Sequence, residues 1–217
     1  MPPMDIVNLS GLELYVSATV AIFMIVNPVD PVKIVIFNDV VQRQDLNRRT
    51  AALRVAFVTF VILGITALIG REVLDLLGIN LGAFGVVGGL VVALMGFEML
   101  YGGASSRTQG TKEAEEESPE DEGLIMPLAV PLMAGPGAIT TVITIAAITK
   151  DGASTIAAVV AVAIVSVLVF VGFAFLGDLI ARLKPSATAM LARVGGMLLA
   201  TIGTQLLLGG IRTFYEG

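Results

Sequence analysis

Six stretches of mostly apolar residues, at about 12–37, 51–70, 79–101, 124–148, 154–181 and 188–211, take up most of this 217-residue chain. Each is long enough to cross the hydrocarbon core of a bilayer once, which takes about 20 residues of helix. Inside lipid every backbone N–H and C=O must find its partner within the protein, and a helix meets that demand by itself. Charged residues make up only 14 % of the chain and hydrophobic ones 56 %. Soluble domains carry about 25 % charged residues. The expected fold is therefore an all-α integral membrane protein with six transmembrane helices and no room for a soluble domain.

The missing residue types remove several chemistries. There is no Cys, His or Trp, so disulfides, thiol catalysis, Cys/His metal sites and histidine proton switches are all excluded. No catalytic constellation can be assembled, and the expectation is a protein that is not an enzyme and uses no metal or cofactor. The net charge of −5 argues against a nucleic-acid partner, which would need a basic face. The opening MPPMDIVNLSGLEL carries acids in place of a basic signal-peptide n-region. The first apolar segment is thus expected to be a retained crossing.

Residues 104–122, ASSRTQGTKEAEEESPEDE, hold seven acids and few apolar side chains. They read as an acidic flexible linker between a first unit at 1–103 and a second at 123–217. Lys and Arg fall unevenly among the connections. Lys33, Arg43, Arg48, Arg49, Arg54, Arg107, Lys112, Arg182, Lys184 and Arg193 share one side, and Arg71, Lys150 and Arg212 the other. By the positive-inside rule the richer side is cytoplasmic. The linker is then cytoplasmic and both termini lie outside.

The two units share a repeat. VGGLVVALMGFEMLYGG at 87–103 aligns without gaps on VGGMLLATIGTQLLLGG at 194–210, with eight of seventeen positions identical and five glycines superposed. Glu98 falls opposite Gln205. Both are secondary polar candidates, although Glu98 also suits a helix end near the interface. A duplicated unit of three crossings must insert its second copy upside down. The architecture implied is two inverted three-helix repeats, an arrangement of secondary transporters with a site between paired interrupted helices.

The interruptions are where that arrangement puts them. The first crossing contains Asn27, Pro28, Asp30 and Pro31, and the fourth reads PLAVPLMAGPGAITTV, with Gly135, Pro136 and Gly137. Pro removes a backbone donor and Gly tolerates unusual dihedrals, so both crossings are expected to break there. Backbone groups freed by a break are tolerated only against protein or a polar cavity. Half-helices starting near Val32 and Ala138 would present N-terminal amides suited to a carboxylate. Thr140 and Thr141 would add hydroxyl donors there. Freed carbonyls and Asp30 would take an ammonium. Asp30 serves equally well as a cap of the next half-helix or as the contact for a coupling proton or Na+; Lys33 either pairs with it or snorkels to the interface. Gly-rich faces in crossings three and six suit close packing and permit self-association.

At these positions the chain resembles the MarC family, also described as the neutral amino acid transporter (SnatA) family. The resemblance rests on VNPVDP, on IN followed by GGLVVALMGFEML, on PLAVPLMAGPGAIT and on LARVGGMLLATIGTQLLLGGI, and it covers nearly the whole chain except the linker. It implies a six-helix protein of the inner membrane that moves small neutral amino acids such as glycine and alanine. The family's first motif is close to NPxGxxP, whereas Asp30 stands here at the glycine position with Pro31 directly after it. The combined expectation is an alternating-access transporter of a small zwitterion, bound by Asn27, Pro28, Asp30, Gly135, Pro136, Gly137, Thr140 and Thr141. The alternatives are a transporter or channel for another small solute, and a non-transporting membrane scaffold.

Overall fold

The structure is a computed structural model that describes residues 11–101, 133–147, 152–176 and 185–216. The linker at 104–122 and the first half of the expected fourth crossing lie outside the described residues. Among the described residues there is no strand and there are seven helices: α1 (Gly11–Val26), α2 (Pro31–Arg43), α3 (Arg48–Leu76), α4 (Leu81–Leu100), α5 (Pro136–Ala146), α6 (Ala153–Phe175) and α7 (Pro185–Glu216). Four of them, α3, α4, α6 and α7 from Ser186 to Tyr215, are long and apolar enough to span a membrane. The shorter apolar helices α1 and α5 end and begin at the two expected breaks. The half-helices start at Pro31 and Pro136, one or two residues earlier than expected, because Pro is favoured at the first helical position.

Local chemistry sets the helix ends. The side chain of Asn47 accepts from Arg49 N and Thr50 N, and that of Asn80 from Gly82 N and Ala83 N; each satisfies orphan amides of a first turn. After α3, Gly78 adopts φ +68°, while Gly78 N reaches Asp75 O and Ile79 N reaches Leu74 O. That left-handed closure favours a residue without a Cβ.

The most extensive helix contact joins α4 to α7, and glycine makes it. A Cβ built on Gly82, Gly89 or Gly96 would lie 2.7 Å from the carbonyl oxygen of Gly210, Gly203 or Gly196 respectively. The reverse holds too: a Cβ on Gly196, Gly203 or Gly210 would lie 2.7 Å from the carbonyl of Gly96, Gly89 or Gly82. As α4 advances by seven residues α7 retreats by seven, so the helices run antiparallel with backbones touching at every second turn. In lipid no water is expelled when helices meet, and close van der Waals packing of small residues drives association.

A second pair, α3 and α6, packs through small side chains. Ala52, Ala56, Thr59 and Ala67 on α3, and Ala157, Ala158 and Ala161 on α6, are all buried. The shorter helices fill the space between these pairs: α1 touches α6, α5 and α7, and α5 touches α4, α3 and α6. The buried cluster runs through all of them, from Ile22 and Val26 through Leu63 and Val142 to Val169 and Phe173. Arg48 and Arg49, anchors by their sequence position, also make tertiary contacts. Arg48 Nε donates to Phe173 O at 2.8 Å, and the Arg49 guanidinium lies 5.6 Å from the centroid of the Phe175 ring. The start of α3 is thereby tied to the end of α6.

The seam between α4 and α7 predicts a contrast. Gly89→Leu should force the two backbones apart and destabilise the protein by about 2–4 kcal/mol, at or above the usual cost of overpacking. Gly209→Ala, where nothing lies within 4 Å of the new methyl, should be neutral or gain up to about 1 kcal/mol of helix propensity. Thermal unfolding in one detergent checks both, and equal melting temperatures would contradict the seam.

Candidate functional site

The first break is short and tightly held. Asn27 N donates to Phe23 O at 2.7 Å and ends α1. Asn27 itself takes φ +44°, a left-handed conformation that Asn tolerates better than most residues. Asp30 N then turns back to Asn27 O at 3.2 Å, and the first bond of α2 runs from Ile34 N to Asp30 O at 3.1 Å. Pro28 is buried, and Asp30 is only 1 % exposed. The carbonyl of Pro28 lies against Gly172 of α6, 2.6 Å from where a Cβ would be. The Asn27 amide nitrogen lies 3.6 Å from the corresponding point on Gly195 of α7. Lys33 folds back over the break, and its Nζ donates to Val26 O at 2.6 Å. This contact with a freed carbonyl is a role that the choice between Asp30 pairing and snorkelling had missed.

The second break opens at its N-terminal end. Gly135 is the N-cap, with φ −64° and ψ 172°, and no side chain caps the helix. Pro136 has no N–H to offer, and the first helical bond runs from Ile139 N to Gly135 O. The amides of Gly137 and Ala138 therefore have no partner among the described residues, and such an end carries a partial positive charge suited to an anion. Thr140 and Thr141 are buried as expected for site residues. Their hydroxyl protons, however, go to Pro136 O at 2.9 Å and Gly137 O at 2.8 Å. In that state each hydroxyl oxygen is an acceptor for a ligand rather than the donor that a carboxylate would want.

A groove of about 430 Å³ follows this end, lined by Phe84, Val87, Gly88 and Val91 of α4 and by Ala134, Gly135, Pro136, Ile139 and Thr140. It brings together Gly135, Pro136 and Thr140 from the expected site. Gly137 lies behind it, where a Cβ would strike the Val92 side chain and stand 3.7 Å from Ile25 Cγ2. Ile25 is in the last turn of α1, so the two breaks adjoin. Asn27, Pro28 and Asp30 do not line the groove, and neither do Glu98 and Gln205, which are exposed on their helices. Among the described residues no group of acidic side chains is placed to hold a metal ion.

The residues that sequence reasoning passed over are the contact points of the breaks. Gly88 accommodates Thr140 so closely that a Cβ there would meet its side chain, and at Gly195 a Cβ would stand in ordinary contact with Asn27 Nδ2, at 3.6 Å. Gly88 and Gly195 are aligned in the repeat; the signal was present, read there only as helix packing.

A profile described as MarC family integral membrane protein matches residues 12–215. The chain belongs to the MarC family. Relatives of this MarC protein include a UPF0056 membrane protein of Pyrococcus horikoshii, 30 % identical over 94 % of this chain and 97 % of its own. The UPF0056 membrane protein YhcE of Escherichia coli is 28 % identical, over 94 % of each chain. No solved structure matches. Membership and the apolar helices make this MarC chain a multi-pass membrane protein.

The contact of the first break with α6 is testable in this MarC protein. Gly172→Ala puts a methyl against the Pro28 carbonyl and should destabilise by about 1–3 kcal/mol, read as a lower melting temperature. An unchanged transition would show that the Pro28 turn does not need α6 for its shape.

Proposed function

We propose that this MarC protein is an alternating-access transporter of small neutral amino acids, built as two inverted three-helix repeats about the seam of α4 and α7, in the inner membrane with both termini outside. One observation carries the reading. The two interrupted helices adjoin, and each leans on the repeat-equivalent glycine of the opposite unit, Asn27 on Gly195 and Thr140 on Gly88. The seam supports it as well, since the repeat offset carries Gly89 and Gly96 onto Gly196 and Gly203, and the pair Gly89–Gly203 exchanges with the pair Gly96–Gly196.

A zwitterion suits the polarity of the breaks. Its carboxylate would meet the Gly137 and Ala138 amides and its ammonium the Thr140 hydroxyl oxygen, with Asp30, outside the groove, as the coupling contact. A small side chain suits the carbon walls of the groove, formed by Phe84, Val87, Val91 and Ile139. Because carbon walls select a solute by size rather than by polar groups, another small solute is the competing reading, and ligand-dependent melting separates the two: glycine or alanine should raise the transition, and a different solute raising it alone would replace them.

Uptake of labelled glycine into proteoliposomes, with and without a pH gradient, is the direct measurement; absence of uptake in sealed, correctly reconstituted vesicles would leave a non-transporting protein. Val87→Trp changes a groove residue that is 61 % exposed and should cut uptake at least tenfold with little change in melting temperature. Asp30→Asn should impair accumulation against a gradient more than exchange, and equal effects on both would reduce Asp30 to a helix cap.

A further inference from the structure

In an uninterrupted helix Val26 O would accept Asp30 N, but Asp30 N bonds Asn27 O instead. The carbonyl so released sits at the C-terminal end of α1, where partial negative charge accumulates. In interrupted membrane helices such freed carbonyls are where a coupling cation is held. Asp30 adds a carboxylate to the same four-residue break, 1 % exposed. Freed carbonyl and carboxylate are hard oxygen ligands of the kind an alkali cation takes. Here the positive charge on that carbonyl belongs to the protein: Lys33 Nζ meets Val26 O at 2.6 Å, the short distance of a charge-assisted bond.

We propose that the Lys33 ammonium is a tethered substitute for an alkali cation at the end of α1, so that the native protein needs no Na+ there and loss of the ammonium opens a monovalent-cation site. A tethered charge arrives with a fixed effective concentration and no dependence on external salt. The consequence for coupling, that Na+ does not act at this break, rests on the transport reading above; the cation response of the purified protein does not.

The test is the melting temperature of the full chain in detergent, in NaCl against choline chloride at equal ionic strength. The native protein and Lys33→Arg should melt alike in both salts. Lys33→Met should be stabilised by NaCl over choline by about 3–6 °C once Na+ exceeds its dissociation constant about tenfold. Lys33→Ala is run beside it and should respond in the same direction. A native protein stabilised by Na+, or Met and Ala variants indifferent to it, would overturn the proposal; were neither variant to fold in choline chloride, recovery of folded protein in NaCl is read in its place, and no recovery overturns it. Glycine uptake is read separately. Its absence alongside an intact Na+ response would remove the transport reading and leave this one, and an indifferent Lys33→Met with normal glycine uptake by the native protein would do the reverse.

Discussion

A backbone group set free inside a bilayer has to be met by protein or by a polar cavity, because lipid offers nothing and each unmet group costs several kcal/mol. The two interruptions answer that demand differently. At the first, several of the groups freed near α1 find partners within the protein. Asn27 and Asp30 close the turn on neighbouring carbonyls, Lys33 covers Val26 O, and the Pro28 carbonyl is packed on a glycine of α6. At the second, Thr140 and Thr141 cover carbonyls of their own turn, while two amides have no partner among the described residues. The first break is bonded within itself, and the second presents the N-terminal dipole of α5. They touch through Ile25 and Gly137.

Glycine is what lets such a bundle close. Where α4 meets α7, carbonyls approach to distances at which a methyl could not stand, and this happens at three pairs two helical turns apart. The contact resembles the Cα–H···O packing common at helix interfaces. Because α4 and α7 lock to one another, they form a surface on which the short pieces α1 and α5 rest. The α3 and α6 pair, built on Ala and Thr, does the same from the other side and is tied at one end by the Arg48 bond to Phe173 O. Motion between these pairs would necessarily change the surroundings of both breaks.

Much of this was legible before any coordinates. Pro28, Pro31 and Pro136, the last between Gly135 and Gly137, dictated where helices must break, since proline sterics act within a turn. The superposed glycines of 87–103 and 194–210 marked the seam. Less legible were contacts across long sequence separation. Nothing local says that Arg48 will reach a carbonyl 125 residues away; its acceptor is known only once the helices are placed. The back-bonds of Thr140 and Thr141 to carbonyls four residues earlier are local, and the reading of those hydroxyls as ligand donors passed them over.

The sequence by itself determined the membrane environment, the positions of the breaks and the matching of the two glycine helices, because hydrophobic length, proline sterics and internal repetition are properties of the chain alone. Tertiary structure decided which freed carbonyl received the Lys33 ammonium, which amides stayed open, and that the groove follows α4 and the second break rather than lying evenly between both. Those outcomes depend on which atoms come within about 3 Å of one another, and only packing sets that.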